Sequence, residues 1–190
     1  MPKLLATTVA ENRALRQRAL RSAAAEVLLE VGGDALTLAE IARRAGLARS
    51  TAYAYCNSAS ELIAQVLSDE LVAMTSHLTD AVAHETNVHR IIEKWVHASL
   101  TYVSDGRHAL VKAASKVELP GERRAELEVL HRGLLQPLVT ALATAGVHHA
   151  PRVAQQVMAV VDVAVRRVES GAPAEVEAKA AIAFASTGCV

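Results

Sequence analysis

Apolar residues recur every three or four positions along almost the whole chain, which is the spacing of amphipathic helices. The first clear stripe runs from Leu20 to Val31, and the turn-forming run Gly32-Gly33-Asp34 ends it. Alternation of apolar and polar residues, the pattern of a half-buried strand, is scarce. The pattern therefore predicts an all-α protein.

A denser pattern occupies residues 37–56, TLAEIARRAGLARSTAYAYC. Thr37 and Glu40 have the spacing of a capping box, so a helix should begin directly after Thr37. Gly46 should end this helix, because only glycine adopts the left-handed turn conformation at low cost. A second short helix is predicted from about Arg49 to Tyr55. Two short helices joined by a tight glycine turn indicate a helix-turn-helix, which places its second helix in the DNA major groove.

The segment that follows completes a three-helix unit. Ser58 and Glu61 repeat the capping-box spacing and predict the start of a long helix. The run from Ala23 to Ile63 resembles the N-terminal domain of the TetR family of bacterial transcriptional regulators. The resemblance covers about residues 13–65, and its landmarks are Ala23-Ala24, Gly32, Thr37, Ile41-Ala42, Ala45-Gly46, Thr51, Tyr53 and Leu62.

This resemblance implies a fold and a function. It implies a three-helix helix-turn-helix DNA-binding domain over residues 1–65 and a helical effector-binding and dimerisation domain over residues 66–190. A homodimer would bind a near-palindromic double-stranded DNA operator as a repressor. A small and largely apolar effector would release it by favouring a conformation that no longer fits the operator.

One short segment holds most of the candidate DNA-binding residues. Arginine can read guanine, serine and threonine can contact bases or phosphates, and tyrosine hydroxyls usually hold phosphate. Thr37 would combine its capping role with a phosphate contact at a helix start, and Arg44 could contact the backbone or remain solvated. The predicted DNA-binding set is Thr37, Arg44, Arg49, Ser50, Thr51, Tyr53 and Tyr55.

Four residues depart from the family pattern. Ala48 stands where the family usually has a serine cap, Tyr55 where it has histidine, Cys56 where it has phenylalanine, and Ala59 where it has lysine. Loss of a cap costs about 1 kcal/mol, and loss of the lysine removes a phosphate contact. These changes keep a second reading open, in which the protein is a helical ligand-binding or scaffolding protein with a degraded DNA-binding end.

The charges favour nucleic-acid contact at the N-terminal end. Net charge is zero, but residues 1–25 hold five basic residues against one acidic residue. Arg13, Arg16, Arg18 and Arg21 account for four of these five. A solvated helix face is the alternative explanation, but the adjacent helix-turn-helix favours DNA contact.

The last two predicted helices favour self-association. Pro151 and Gly171 bracket a helix whose middle, Val157–Val165, is apolar nearly all round. Pro173 begins a final alanine-rich helix that permits close helix approach. We expect a four-helix dimer interface over about residues 151–187, although both helices could instead complete the core of one protomer.

The histidines do not indicate a metal site. All eight lie in the second domain, and the spacing of His84 and His89 turns their rings about 140° apart on a helix. His148 and His149 are adjacent and cannot chelate from one face. We expect no metal and no cofactor. The candidate effector-binding residues are Trp95, His97, Tyr102 and His108, each of which could equally be an ordinary core or surface residue.

The absence of catalytic, cysteine and signal-peptide motifs bears on enzyme activity and localisation. Neither a nucleophile elbow nor a phosphate-binding glycine loop is present, so we expect no enzyme activity, and a small all-α enzyme is the weakest alternative. Cys56 and Cys189 have no CxxC spacing, and the start of the chain lacks the apolar core of a signal peptide. We expect a cytoplasmic protein with no membrane span.

Overall fold

A computed structural model describes residues 8–106 and 108–187, and within these residues all regular structure is helical. A single 3₁₀ turn, Gly33–Ala35, follows the first helix. The α-helices, in chain order, are α1 (Val9–Val31), α2 (Leu38–Arg44), α3 (Arg49–Tyr53), α4 (Ala59–Val82), α5 (Val88–Ser104), α6 (Ala109–Ala114), α7 (Gly121–Gly133), α8 (Gln136–Thr144), α9 (Ala150–Glu169) and α10 (Ala174–Thr187).

The chain forms two compact units. The N-terminal unit comprises Met1–Asp69 and Ala109–Leu127, and the second unit comprises Glu70–His108 and Glu128–Val190. The sequence-based boundary at residue 65 assigned the whole of 66–190 to one domain. In the structure, α6 and the first part of α7 instead pack with the N-terminal helices, a long-range arrangement that helical periodicity does not encode.

The core of the N-terminal unit is built from the apolar faces of α1, α2, α3 and α4. Leu20, Val27 and Leu28 of α1 are fully buried, as is Ile41 of α2. Ala114 of α6 belongs to the same cluster. Burial of these side chains, each worth about 1.5–3 kcal/mol, positions the short helices α2 and α3.

Both predicted capping boxes form only in half. The Thr37 hydroxyl accepts from the backbone N–H of Glu40 at 3.2 Å, and the Ser58 hydroxyl accepts from that of Glu61 at 3.0 Å. The carboxylates of Glu40 and Glu61 do not accept from the backbone N–H groups of Thr37 and Ser58, which would complete the boxes. Glu40 binds Arg43 and Glu61 binds Arg123 instead, because a charge-assisted pair competes well with a neutral cap bond.

The second unit has a core of its own. Trp95, Ile91 and Ile92 of α5 pack with Leu138 of α8 and Val161 of α9. None of the described helices of the chain is both long and apolar enough to cross a membrane.

One helix prediction in the second unit is wrong. The leucine spacing from Leu127 to Leu142 predicts a single long helix kinked at Pro137. The structure contains two helices, since α7 ends at Gly133 and Pro137 lies in the first turn of α8. Proline lacks an N–H and would clash with the carbonyl of Gly133, four residues earlier, so a new helix starts there.

Candidate nucleic-acid interface

The turn between α2 and α3 fixes the direction of α3. Gly46 has φ 69°, in the left-handed region that favours glycine. The backbone N–H of Leu47 donates to the Ala42 carbonyl at 2.9 Å, which closes the turn. Ala52 is fully buried and holds α3 on the core. The helix forms although Ala48 supplies no side-chain cap.

The opposite side of α3 is open to solvent. Arg49 and Ser50 are exposed, Tyr53 is 48% exposed, and Thr51 is half-buried. The Arg49 guanidinium lies over the Tyr53 ring, with Cζ 5.5 Å from the ring centroid, and donates to the tyrosine hydroxyl at 3.3 Å. These four predicted residues therefore share one short helix, with Arg49 and Tyr53 held as a pair.

Tyr55 lies just beyond α3 and is half-buried. Its backbone N–H donates to the Ala52 carbonyl at 3.0 Å. Arg13 of α1 stacks on its ring, with Cζ 5.9 Å from the centroid. Sequence reasoning noted the charge of Arg13 but gave it no site role, because a contact between α1 and the end of α3 is not visible in the sequence.

Arg44 differs from the other predicted DNA-binding residues. Its two terminal nitrogens donate to the two carboxylate oxygens of Glu30 in α1, at 2.8 and 2.6 Å. Glu26 lies 3.7 Å away, and the hydrogen bond to Glu30 raises the pKa of Arg44 above its ordinary value. This bidentate pair ties α2 to α1 and uses two of the five N–H donors of Arg44.

Cys56 packs in the core of the N-terminal unit. Its Sγ lies 3.6 Å from the Ala52 carbonyl, and burial raises the pKa of the thiol. The neutral thiol fits the small core role expected from the sequence.

The four predicted effector residues do not form one cluster. Trp95 is 1% exposed, and its indole Nε1 has no hydrogen-bond partner among the described residues. Tyr102 is buried and its hydroxyl donates to the Glu70 carboxylate. His97 is exposed, with Nδ1 3.2 Å from the Thr101 hydroxyl, and His108 pairs with Glu169 at 2.7 Å.

Two further histidine observations bear on this unit. His77, which sequence reasoning missed, lies with its ring centroid 6.1 Å from that of Tyr102, and its Nε2 is buried without a partner within the described residues. His97 and His77 both line a groove of about 440 Å³ between α4 and α5. Over residues 8–106 and 108–187, no cluster of three or more His, Cys, Asp or Glu side chains could hold a metal ion.

The outer face of α9 and α10 is strongly apolar. Between these helices lies a groove of about 650 Å³ whose lining includes Val160, Val163, Ala181 and Phe184. Phe184 is 71% exposed and Val163 is 49% exposed. Exposed apolar surface of this kind makes the groove a candidate interaction surface.

Comparison with known protein families gives one match, which lies within the N-terminal unit. Residues 20–66 match the family described as bacterial regulatory proteins, tetR family. No curated protein matches the chain. The TetR resemblance predicted for about residues 13–65 is thus confirmed over the matched segment.

Solved structures share the fold over nearly the whole chain. The fatty acid degradation regulator FadR from Bacillus halodurans is 16% identical, with a TM-score of 0.72, over 90% of this chain and 94% of that one. FadR from Bacillus subtilis, in complex with stearoyl-CoA, is 16% identical, with a TM-score of 0.71, over 88% and 96%. The SmeT–triclosan complex is 16% identical, with a TM-score of 0.72, over 91% and 90%. Likeness at this identity shows the all-α fold with its N-terminal helix-turn-helix.

Proposed function

We propose that the protein is a ligand-responsive repressor, because its residues 20–66 match the family of bacterial regulatory proteins, tetR family. As a homodimer it binds a near-palindromic operator, with half-site centres about 34–36 Å apart or a multiple of that distance. DNA binding places it in the bacterial cytoplasm, with the chromosome.

The observation that carries this proposal is the outward face of α3. Arg49 and Ser50 are exposed while Ala52 beneath them is fully buried, so the helix is anchored on one side and free on the other. Arg49 reads a base edge, and the Tyr53 hydroxyl contacts phosphate. Thr51, Tyr55 and Thr37 complete the proposed interface. Arg44, which holds α2 on α1 through Glu30, is the remaining member of the proposed set.

The groove of α9 and α10 supports the homodimer. A two-fold axis brings identical patches together, so the exposed Phe184 of each protomer can fill the partner's groove. Glu177, the one carboxylate that the described residues contribute to the groove lining, is already paired with Arg167 at 2.8 Å. Dimer formation therefore leaves no unpaired buried carboxylate in the groove.

The second unit supports the effector role. The structures of FadR with stearoyl-CoA and of SmeT with triclosan show that proteins of this fold bind small molecules. Here the effector binds near α5, where Trp95 offers a buried indole N–H for an acceptor atom. Trp95 is the single tryptophan of the chain, so its fluorescence reports ligand binding in this unit directly.

A gel-shift titration tests the DNA-binding function. The protein is titrated onto DNA from upstream of its own gene and onto a scrambled duplex, at several salt concentrations. We expect sequence-selective retention that weakens steeply with salt. Arg49→Ala should lower affinity for the selective duplex by about 1–3 kcal/mol, and Arg132→Ala, an exposed arginine of α7, should not.

The same titration decides the alternative function. A protein with a degraded DNA-binding end would retain no duplex even at low salt, while Trp95 fluorescence would still respond to small apolar molecules. Ala48 and Ala59 motivate this alternative. The intact fold of α3 on its core favours the regulator.

A further inference from the structure

Some arginines of the N-terminal unit pair with a carboxylate and others do not. Arg21, Arg43 and Arg44 each hold a carboxylate of the same unit. No carboxylate among the described residues forms an ion pair with Arg13 or Arg49, because every ion pair of this unit involves another basic residue. Within the part of the chain that the structure describes, no salt bridge therefore neutralises these two side chains, and the same holds for Arg16, Arg18 and Arg124.

Arg13 and Arg49 differ from the other described arginines without a salt bridge in this unit, because each lies over a tyrosine ring at the C-terminal end of α3. Arg49 lies over Tyr53, and Arg13 lies over Tyr55. One N–H of Arg49 already donates to the Tyr53 hydroxyl, whereas no hydrogen bond within the described residues uses the guanidinium of Arg13, whose N–H donors can bind an acceptor. The contact with the Tyr55 ring also restricts the long side chain of Arg13 in advance, which lowers the entropy lost on binding.

Arg13 lies on the side of α1 that faces the core of the N-terminal unit, which brings it next to the end of α3. Arg13 precedes the buried Leu20 by seven residues, or about two helical turns, so both lie on the same side of α1. Arg13 nevertheless lies beyond the core and is exposed, next to the half-buried Tyr55. The start of α4 adds no cation here, since residues 57–60 are Asn, Ser, Ala and Ser.

We propose that Arg13, held by its stack on Tyr55, binds a phosphate of the DNA backbone beside the bases that α3 reads. This inference rests on the proposed DNA-binding function and adds a contact from α1, outside the helix-turn-helix. The contact carries no sequence information, because phosphates are the same at every base pair. It contributes affinity and fixes the position of the N-terminal unit on the duplex.

Fluorescence anisotropy titrations of the full chain across a salt series test this contact. The Arg13→Ala variant should bind a selective and a scrambled duplex more weakly by the same factor. That factor is about eightfold at 0.1 M salt, the counterion-release gain of one phosphate contact, and the salt slope should fall by about 0.9. Arg18→Ala is the matched control, since Arg18 is exposed and lies about 140° around α1 from Arg13.

A further variant tests the contact between Arg13 and the tyrosine ring. The Arg13→Lys variant keeps the positive charge but loses the planar guanidinium. Its affinity should therefore depend on salt as in wild type, but it should bind DNA more weakly. Wild-type affinity in Arg13→Lys would contradict the stacked geometry.

The outcomes separate this inference from the proposed function. If Arg13→Ala keeps the wild-type slope, or if Arg18→Ala lowers the slope equally, the Arg13 site is refuted while DNA binding stands. If the wild-type protein retains no duplex at low salt, the proposed function itself fails.

Discussion

Replacing Phe184 with alanine should dissociate the proposed homodimer. Phe184 is 71% exposed in one protomer. Full burial of a phenylalanine side chain is worth about 1.5–3 kcal/mol, so burying the exposed part contributes about 1–2 kcal/mol per copy. The two-fold axis doubles this to about 2–4 kcal/mol per dimer, which corresponds to a roughly 30- to 1,000-fold increase in the dimer Kd.

Sedimentation equilibrium over a dilution series measures this Kd directly. The free energy of unfolding of the isolated protomer should change by no more than about 0.5 kcal/mol, because an exposed side chain is removed. Val129→Ala is the control, since Val129 of α7 is 60% exposed but lies outside the groove. The argument is refuted if Phe184→Ala dimerises like wild type, or if Val129→Ala weakens the dimer to the same extent.

Two further predictions concern stability. Gly33→Ala should lower the free energy of unfolding by about 1–3 kcal/mol in urea titrations, because the new Cβ would lie 2.9 Å from Val117 Cγ2 and 3.2 Å from its backbone nitrogen. Gly121→Ala, whose Cβ would meet nothing within 4 Å, should not. Lys94 lowers the pKa of Glu85 from 4.5 to about 2, so wild type should lose stability relative to Glu85→Gln as pH falls from about 5 to about 2. Melting temperatures of wild type and Glu85→Gln that change in parallel with pH would contradict this assignment.

Local signals in the sequence were sufficient to predict much of the N-terminal unit. The helix starts at Thr37 and Ser58 and the turn at Gly46 depend on neighbouring residues, and the structure confirms each. The exposed face of α3 follows from the same spacing, since Ala52 is the residue that turns inward. Capping and helical periodicity act over a few residues, so a single sequence displays them.

Side-chain partners and unit membership could not be predicted in this way. Glu30 captures Arg44 across fourteen positions of the chain, and Arg13 meets Tyr55 across forty-two. The packing of Ala109–Leu127 with the N-terminal unit is likewise a long-range arrangement. Such contacts depend on how helices are placed in space, and the apolar pattern of each helix is compatible with many placements.

Selection of binding sites from random DNA duplexes tests the central claim most directly. A homodimer that presents Arg49 on two copies of α3 should enrich a near-palindromic sequence, with half-site centres about one helical turn apart or a multiple of it. The Arg49→Ala variant should lose base preference within each half-site. Failure to enrich any sequence, or enrichment of single half-sites without symmetry, would contradict the account.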